Sequence, residues 1–135
     1  MSACVLDTDV VIAALDRADA HHGAAAKAFE RLATDDVELL LCTVNYAESL
    51  VRPAEDERTL RAAVDAIASL RIRVVSPDAS VARNAAKNRA LGISLADGFA
   101  LATAAAHDAT VASFDKRVRR ALRPAGLQLC EALAS

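Results

Sequence analysis

The stretch Ala3-Cys4-Val5-Leu6-Asp7-Thr8-Asp9-Val10-Val11-Ile12-Ala13-Ala14-Leu15 decides how the rest of the chain is read. Residues 3–6 are a short apolar run rich in strand formers, and the run stops at a charge, Asp7. From Val10 to Leu15 the apolar residues continue as a helix, with Thr8 or Asp9 standing where its N-cap is expected. A buried strand passing straight into a helix is half of a β-α-β unit, so the remaining sequence is read for its repetition.

The alternation does recur. Residues 23–33, alanine-rich with Phe29 and Leu32, read as a second helix, and residues 38–43 carry Leu39, Leu40 and Leu41 in succession, the mark of a strand buried on both faces. Residues 44–51 read as a helix closed by Pro53. Residues 56–70 repeat Leu60, Val64, Ile67 and Leu70 at amphipathic-helix spacing, a stripe read as core. Residues 72–75 form a third strand stopped by Ser76-Pro77. Asp78 caps a helix running to residue 90 and ended by Gly92, and Ser94 opens another that reaches about residue 107. Residues 110–114 are a fourth strand, 115–122 a short helix and 127–130 a last edge strand. The expected fold is α/β: one domain over residues 1–135, with a central, mainly parallel sheet of four or five strands flanked by helices.

Composition agrees with this reading. Alanine fills 33 of the 135 positions while aromatics make up 3%, which favours close-packed helices over an aromatic-rich β-sandwich. No apolar run approaches the roughly 20 residues of a membrane span, and no basic-then-apolar leader opens the chain, so a soluble, cytoplasmic protein is expected. Cys4, Cys42 and Cys130 are odd in number, far apart and set in apolar runs, which fits buried free thiols rather than a disulfide framework or zinc site. His21, His22 and His107 lack metal-ligand spacing and read as surface residues. The formal charge is -2, but residues 116–135 carry five basic side chains against Glu131, a net +4 that leaves -6 on the rest.

In a parallel sheet wrapped by helices, ligands bind beyond the carboxyl ends of the strands. Those ends collect acids: Asp7 and Asp9 after the first strand, Glu48 one turn into the helix after the second, Asp115 after the fourth, and Asp97 in the first turn of the helix opened by Ser94. Each lies beside apolar sequence, where an unpaired charge is costly to bury. No lysine or arginine is interleaved locally with Asp7, Asp9 or Asp97. A hard divalent cation can neutralise them, since Mg2+ and Mn2+ take carboxylate and water oxygens, and such an ion can activate water against a phosphodiester. Taken singly, each acid has a plainer use. Asp7, Asp9 or Asp115 would serve as a helix cap, and Glu48 would pair with Arg52 four positions on.

Four blocks carry a resemblance: Val5 to Leu15, Thr43-Val44-Asn45-Tyr46-Ala47-Glu48, Ser94-Leu95-Ala96-Asp97 with Ala102-Thr103-Ala104, and Val111-Ala112-Ser113-Phe114-Asp115. In this order and spacing the chain resembles the PIN domain, specifically the small VapC-like toxins of type II toxin–antitoxin systems. The resemblance implies an endoribonuclease dependent on Mg2+ or Mn2+ that hydrolyses RNA phosphodiester bonds. Its acidic quartet would be Asp7, Glu48, Asp97 and Asp115, with Asp7, Asp97 and Asp115 holding the ion and Glu48 binding it or orienting the attacking water. Ser113 falls where the family often has a hydroxyl near the metal. Asp9 departs from the pattern, standing where Ser, Thr or Asn is common, and is placed in a supporting role or as a fifth carboxylate. Gly98-Phe99 departs too, at a place where small or aliphatic residues are usual. The resemblance further implies a VapB-like antitoxin and a homodimer.

The basic segment after Asp115, with Lys116, Arg117 and Arg120, would hold RNA phosphates or be a solvated helix face; Arg83 and Lys87 are a weaker version of the same idea. Tyr46 and Phe114 are the few aromatics available for stacking on bases. Two other readings stay open. Asp7-Thr8-Asp9-Val10-Val11 is also similar to the opening motif of haloacid-dehalogenase-type phosphatases, in which Asp7 would be the nucleophile and Asp9 the acid/base, but the late acidic pair of that family is missing. A catalytically silent PIN-like module would use the same acids to grip an arginine of another protein.

Overall fold

The strand β1 (Ala3–Leu6) lies inside the sheet with Cys4, Val5 and Leu6 fully buried and parallel neighbours on both sides. The computed structural model describes residues 2–134. After β1 come α1 (Thr8–Leu15), α2 (His22–Thr34), β2 (Glu38–Cys42), α3 (Thr43–Leu50), α4 (Glu57–Ser69), β3 (Ile72–Val75), α5 (Ala79–Lys87), α6 (Leu95–His107), β4 (Thr110–Ala112) and α7 (Lys116–Leu122). The sheet is parallel throughout, in the order β3-β2-β1-β4. The chain thus steps from β1 to β2 to β3 in one direction and returns to the other side of β1 for β4. The reversal between β1 and β4 opens a crevice at their carboxyl ends, the usual ligand position in such sheets.

Successive strand residues face opposite ways, and the two layers of core follow that alternation. Cys4, Leu6, Leu39 and Leu41 pack with Val10 and Val11 of α1, Phe29 and Leu32 of α2 and Ile67 of α4. Val5, Leu40 and Val111 face the other way, onto Ala100, Leu101 and Ala104 of α6 and Val118, Ala121 and Leu122 of α7. The stripe on α4 is core on this account: Ile67 is buried and Leu60 and Val64 are half-buried. All three cysteines are free and buried. Among the described residues no helix is long and apolar enough to cross a membrane.

Several boundaries differ from the sequence reading. The first helix begins at Thr8 rather than Val10; of the caps the sequence offered, Thr8, Asp9 and Asp7, the structure uses Asp7. The fourth strand ends at Ala112 because Ser113, Phe114 and Asp115 turn toward the first strand's end. The helix after Asp78 gives way at Asn88 to a 3-10 turn, which Gly92 ends with a left-handed φ of 80°. The expected fifth strand shrinks to one parallel bridge, Leu129 to Val111. His22 is half-buried, its Nδ1 2.7 Å from the Ala13 carbonyl oxygen, so of the three histidines only His21 and His107 are fully at the surface.

Gly98 has a packing reason. α5 crosses α6 so closely that a Cβ at residue 98 would stand 2.7 Å from the Ala85 carbonyl oxygen, and the buried Asn88 amide donates to the Gly98 carbonyl at 3.0 Å. In an open helix, Gly→Ala gains about 1 kcal/mol. Here the backbone contact reverses the sign, so Gly98→Ala is expected to cost a net ~1–3 kcal/mol and lower Tm by several degrees in a thermal melt. An unchanged or higher Tm would contradict this packing.

Candidate active site

Asp7 follows β1 directly. Its N–H extends the ladder to the Ala112 carbonyl at 2.9 Å, which sets its side chain between the ends of β1 and β4 at 1% exposure. One carboxylate oxygen accepts from the Thr8 N–H at 2.9 Å, and the other accepts from the Ser113 hydroxyl at 2.8 Å. Ser113 also receives the Asp115 N–H at 3.1 Å, and Asp115 caps α7 by accepting from Arg117 N at 2.7 Å. Two residues on, Asp9 Oδ2 accepts the Phe114 N–H at 3.0 Å while its Oδ1 is buried without a hydrogen-bond partner among the described residues. The three residues after β4 are therefore fastened to the two acids after β1.

The second pair of acids is tied in through Asn45. This residue is fully buried on α3, and its amide donates both to Thr8 Oγ1 and to the Ala96 carbonyl, each at 3.1 Å. Thr8 in turn donates to Glu48 Oε1 at 2.6 Å. Ala96 immediately precedes Asp97, whose own N–H is capped by Ser94 Oγ at 3.1 Å. Glu48 makes no ion pair with Arg52 among the described residues; it stands exposed at the rim, steered by Thr8. Asn45 had no role in the sequence reading and Thr8 only that of a cap. An isolated buried amide carries no signal until its partners, 37 and 51 residues away, are known.

Electrostatics reports that four of the acids share one space. Burial pushes the Asp7 carboxyl up to about 8, aided by the charges of Asp9 and Asp97 and opposed by the Ser113 and Thr8 hydrogen bonds. Burial likewise pushes Asp9 up to about 6 against the Phe114 N–H, with Asp115 and Asp97 adding repulsion. Among the described residues no cationic side chain pairs with Asp7, Asp9 or Asp97; Asp115 alone has Arg117 nearby, Nε at 3.9 Å on an exposed side chain. The second lone pair of each Asp7 oxygen, the orphaned Asp9 Oδ1, the Asp97 carboxylate and Asp115 Oδ2 are the acceptors left to a cation. Among the described residues no three Asp, Glu, His or Cys side chains form a ready-made set of direct ligands. A Mg2+ ion keeps several of its waters and needs only one or two carboxylates, so this donor set fits it.

Two grooves flank the acids. On the Glu48 side, Ile12, Leu15, Val51 and Arg52 line a groove of about 770 Å³ together with Asp16, Glu55 and Asp56. On the Phe114 side lies a pocket of about 550 Å³. Lys116, Arg117 and Arg120 are exposed on α7 just past Asp115, and Arg83 and Lys87 are exposed on α5. Tyr46 packs on the core and Phe114 is half-buried.

The PIN domain family matches residues 4–123. No curated protein matches the sequence significantly. Among solved structures, VapBC2 from Rickettsia felis, bound to a DNA fragment from its promoter, is similar at 18% identity and a TM-score of 0.74, covering 95% of this chain and 97% of that one. FitAcB from Neisseria gonorrhoeae is 23% identical with a TM-score of 0.71 and coverages of 98% and 99%. VapC20 from Mycobacterium tuberculosis, a sarcin-ricin loop cleaving toxin, is 19% identical with a TM-score of 0.67 and coverages of 85% and 92%. At these identities the likeness speaks for the fold.

The raised carboxyls make stability depend on pH. Unfolded aspartates lose their protons near pH 4, whereas folded Asp7 and Asp9 keep theirs until about 8 and about 6. The folded state therefore binds more protons in between, and chelator-treated protein should lose thermal stability as pH rises from about 5 to about 8. Asp7→Asn should flatten most of that fall. A Tm that climbs over the interval, or one that falls equally in the variant, would contradict this arrangement.

Proposed function

The chain belongs to the PIN-domain family, and from that membership together with its acidic cluster we propose that it is a VapC-like endoribonuclease toxin, dependent on Mg2+ or Mn2+ and restrained by a VapB-like antitoxin. The observation that carries the reading is the set of carboxylates gathered at the β1–β4 crevice, Asp7 buried and Asp9, Asp97 and Asp115 half-buried, with an orphaned oxygen on Asp9 and, among the described residues, no basic partner for Asp7, Asp9 or Asp97. Without a cation such acids relieve their repulsion by keeping protons, as the raised Asp7 and Asp9 carboxyls do; a bound cation would let them stay ionised near neutral pH. Asp7, Asp97 and Asp115 would hold the ion, with Glu48 at the rim. When bound, Mg2+ or Mn2+ supplies a more acidic water and stabilises charge on the phosphodiester oxygens.

The chain's own residues do the positioning. Ser113 holds one oxygen of Asp7 and the Thr8 N–H the other, so the carboxylate cannot rotate. The Phe114 N–H takes Oδ2 of Asp9 and leaves Oδ1 unpartnered, and Thr8 holds Glu48 Oε1 so that its second oxygen is left to take a proton from water or help bind the ion. The exposed Lys116, Arg117 and Arg120 lie where RNA phosphates would approach. The groove beside Glu48, apolar at Ile12, Leu15 and Val51 and acidic at Asp16, Glu55 and Asp56, suits an apolar, basic segment of the antitoxin. That two structures of this fold are VapBC2 bound to a DNA fragment from its promoter and a sarcin-ricin loop cleaving toxin supports the same reading. It also has the toxin acting as a cytoplasmic homodimer.

Purified protein incubated with single-stranded RNA should make internal cuts with Mg2+ or Mn2+, none with EDTA, at least ~100-fold fewer after Asp7→Asn, and only moderately fewer after Asp9→Asn. Cleavage indifferent to EDTA would refute the metal-dependent reading. A phosphoryl group trapped on Asp7 from a small phosphomonoester would favour the haloacid-dehalogenase-type chemistry instead.

A further inference from the structure

Phe114 sits between Ser113 and Asp115 with its N–H on Asp9, so its ring is fixed relative to the acids. His21, 93 residues away in sequence, stacks on that ring with centroids 4.4 Å apart and planes 7° from parallel. The stack borders the pocket of about 550 Å³, which Lys27 and Arg119 also line; among the described residues no carboxylate lines it. Among the described residues Arg119 is held by neutral oxygens, its Nε 2.7 Å from the Ser113 carbonyl and a terminal nitrogen 3.4 Å from that of Leu133. Among the described residues neither Arg119 nor Lys27 forms an ion pair.

A flat π surface beside two uncompensated cations, in a volume typical of small-ligand sites, matches a base and its phosphate. The groove on the other side of the acids has the opposite character. Asp16, Glu48, Glu55 and Asp56 face a single Arg52 there and would repel a polyanion. We propose that the pocket between α2 and α7 is a nucleotide subsite: one nucleotide of a single-stranded RNA, next to the bond that is cut, lays its base on the His21–Phe114 stack and its phosphate against Lys27 and Arg119. The substrate strand thus leaves the acids toward α2 and avoids the Glu48 groove. This rests on the ribonuclease reading above and adds the residues that select and hold the strand.

His21 and Lys27 are exposed, and among the described residues neither side chain makes a hydrogen bond, so their substitution leaves the core untouched. The test is binding of a fluorescein-labelled, mixed-sequence single-stranded RNA oligonucleotide to the full chain in EDTA, read by anisotropy, alongside its cleavage in Mn2+. His21→Ala and Lys27→Ala should each weaken binding about 5- to 10-fold and raise KM similarly, with kcat within about twofold. His21→Tyr, which keeps a stacking ring, should bind like the parent. Lys27→Ala should also flatten the dependence of log affinity on log salt by about 0.7, while Arg61→Ala, an exposed cation on α4, should leave binding and cleavage unchanged. If the parent cuts RNA and both alanine variants bind and cut as it does, the subsite is refuted while the ribonuclease reading stands. If the parent neither binds nor cuts RNA, both fall together.

Discussion

Acids crowded together around one buried aspartate are the constraint from which the rest of this structure follows. Asp7, Asp9, Asp97 and Asp115 approach one another at the carboxyl ends of β1 and β4, where the sheet order reverses and the flanking helices part. Each would be more comfortable in water, and together they repel. Folding nonetheless holds them there, because the two layers of apolar core above and below the sheet leave the strand ends no other place to go.

What makes the cluster tolerable is that much of its hydrogen-bonding capacity is met by fixed donors. The Ser113 hydroxyl, the Thr8 and Phe114 N–H groups and the first turn of α7 bind carboxylate oxygens of Asp7, Asp9 and Asp115. Asn45 joins Thr8 to the backbone beside Asp97. The donors orient the acids without neutralising them. That division of labour suits a site in which a mobile cation supplies the charge and the protein supplies the geometry.

The strand-to-helix alternation and the strand-end acids were legible in the sequence because both depend on local pattern: a run such as Leu39-Leu40-Leu41 reads as a two-sided strand wherever it occurs. What stayed hidden depends on partners far along the chain. Asp7 displaced Thr8 and Asp9 as cap because the ladder continues one residue further, through the Asp7 N–H to the Ala112 carbonyl. Residues 127–130 looked like a strand, but only Leu129 meets Val111 before the chain turns into the 3-10 segment Glu131–Leu133. The stacking of His21 on Phe114, the roles of Asn45 and Arg119 and the close approach at Gly98 arise from tertiary contacts that no window of sequence contains. The acids could be named from sequence; how tightly Asp7 is wrapped and how exposed Glu48 remains could not.

The central claim is that this acidic crevice is a cation site. Anomalous diffraction from crystals of the protein soaked in Mn2+ tests it most directly. The account predicts a manganese peak in the space shared by Asp7, Asp9, Asp97 and Asp115, and its disappearance in Asp97→Asn. A well-soaked crystal with no peak there, or with manganese only at unrelated surface carboxylates, would contradict it.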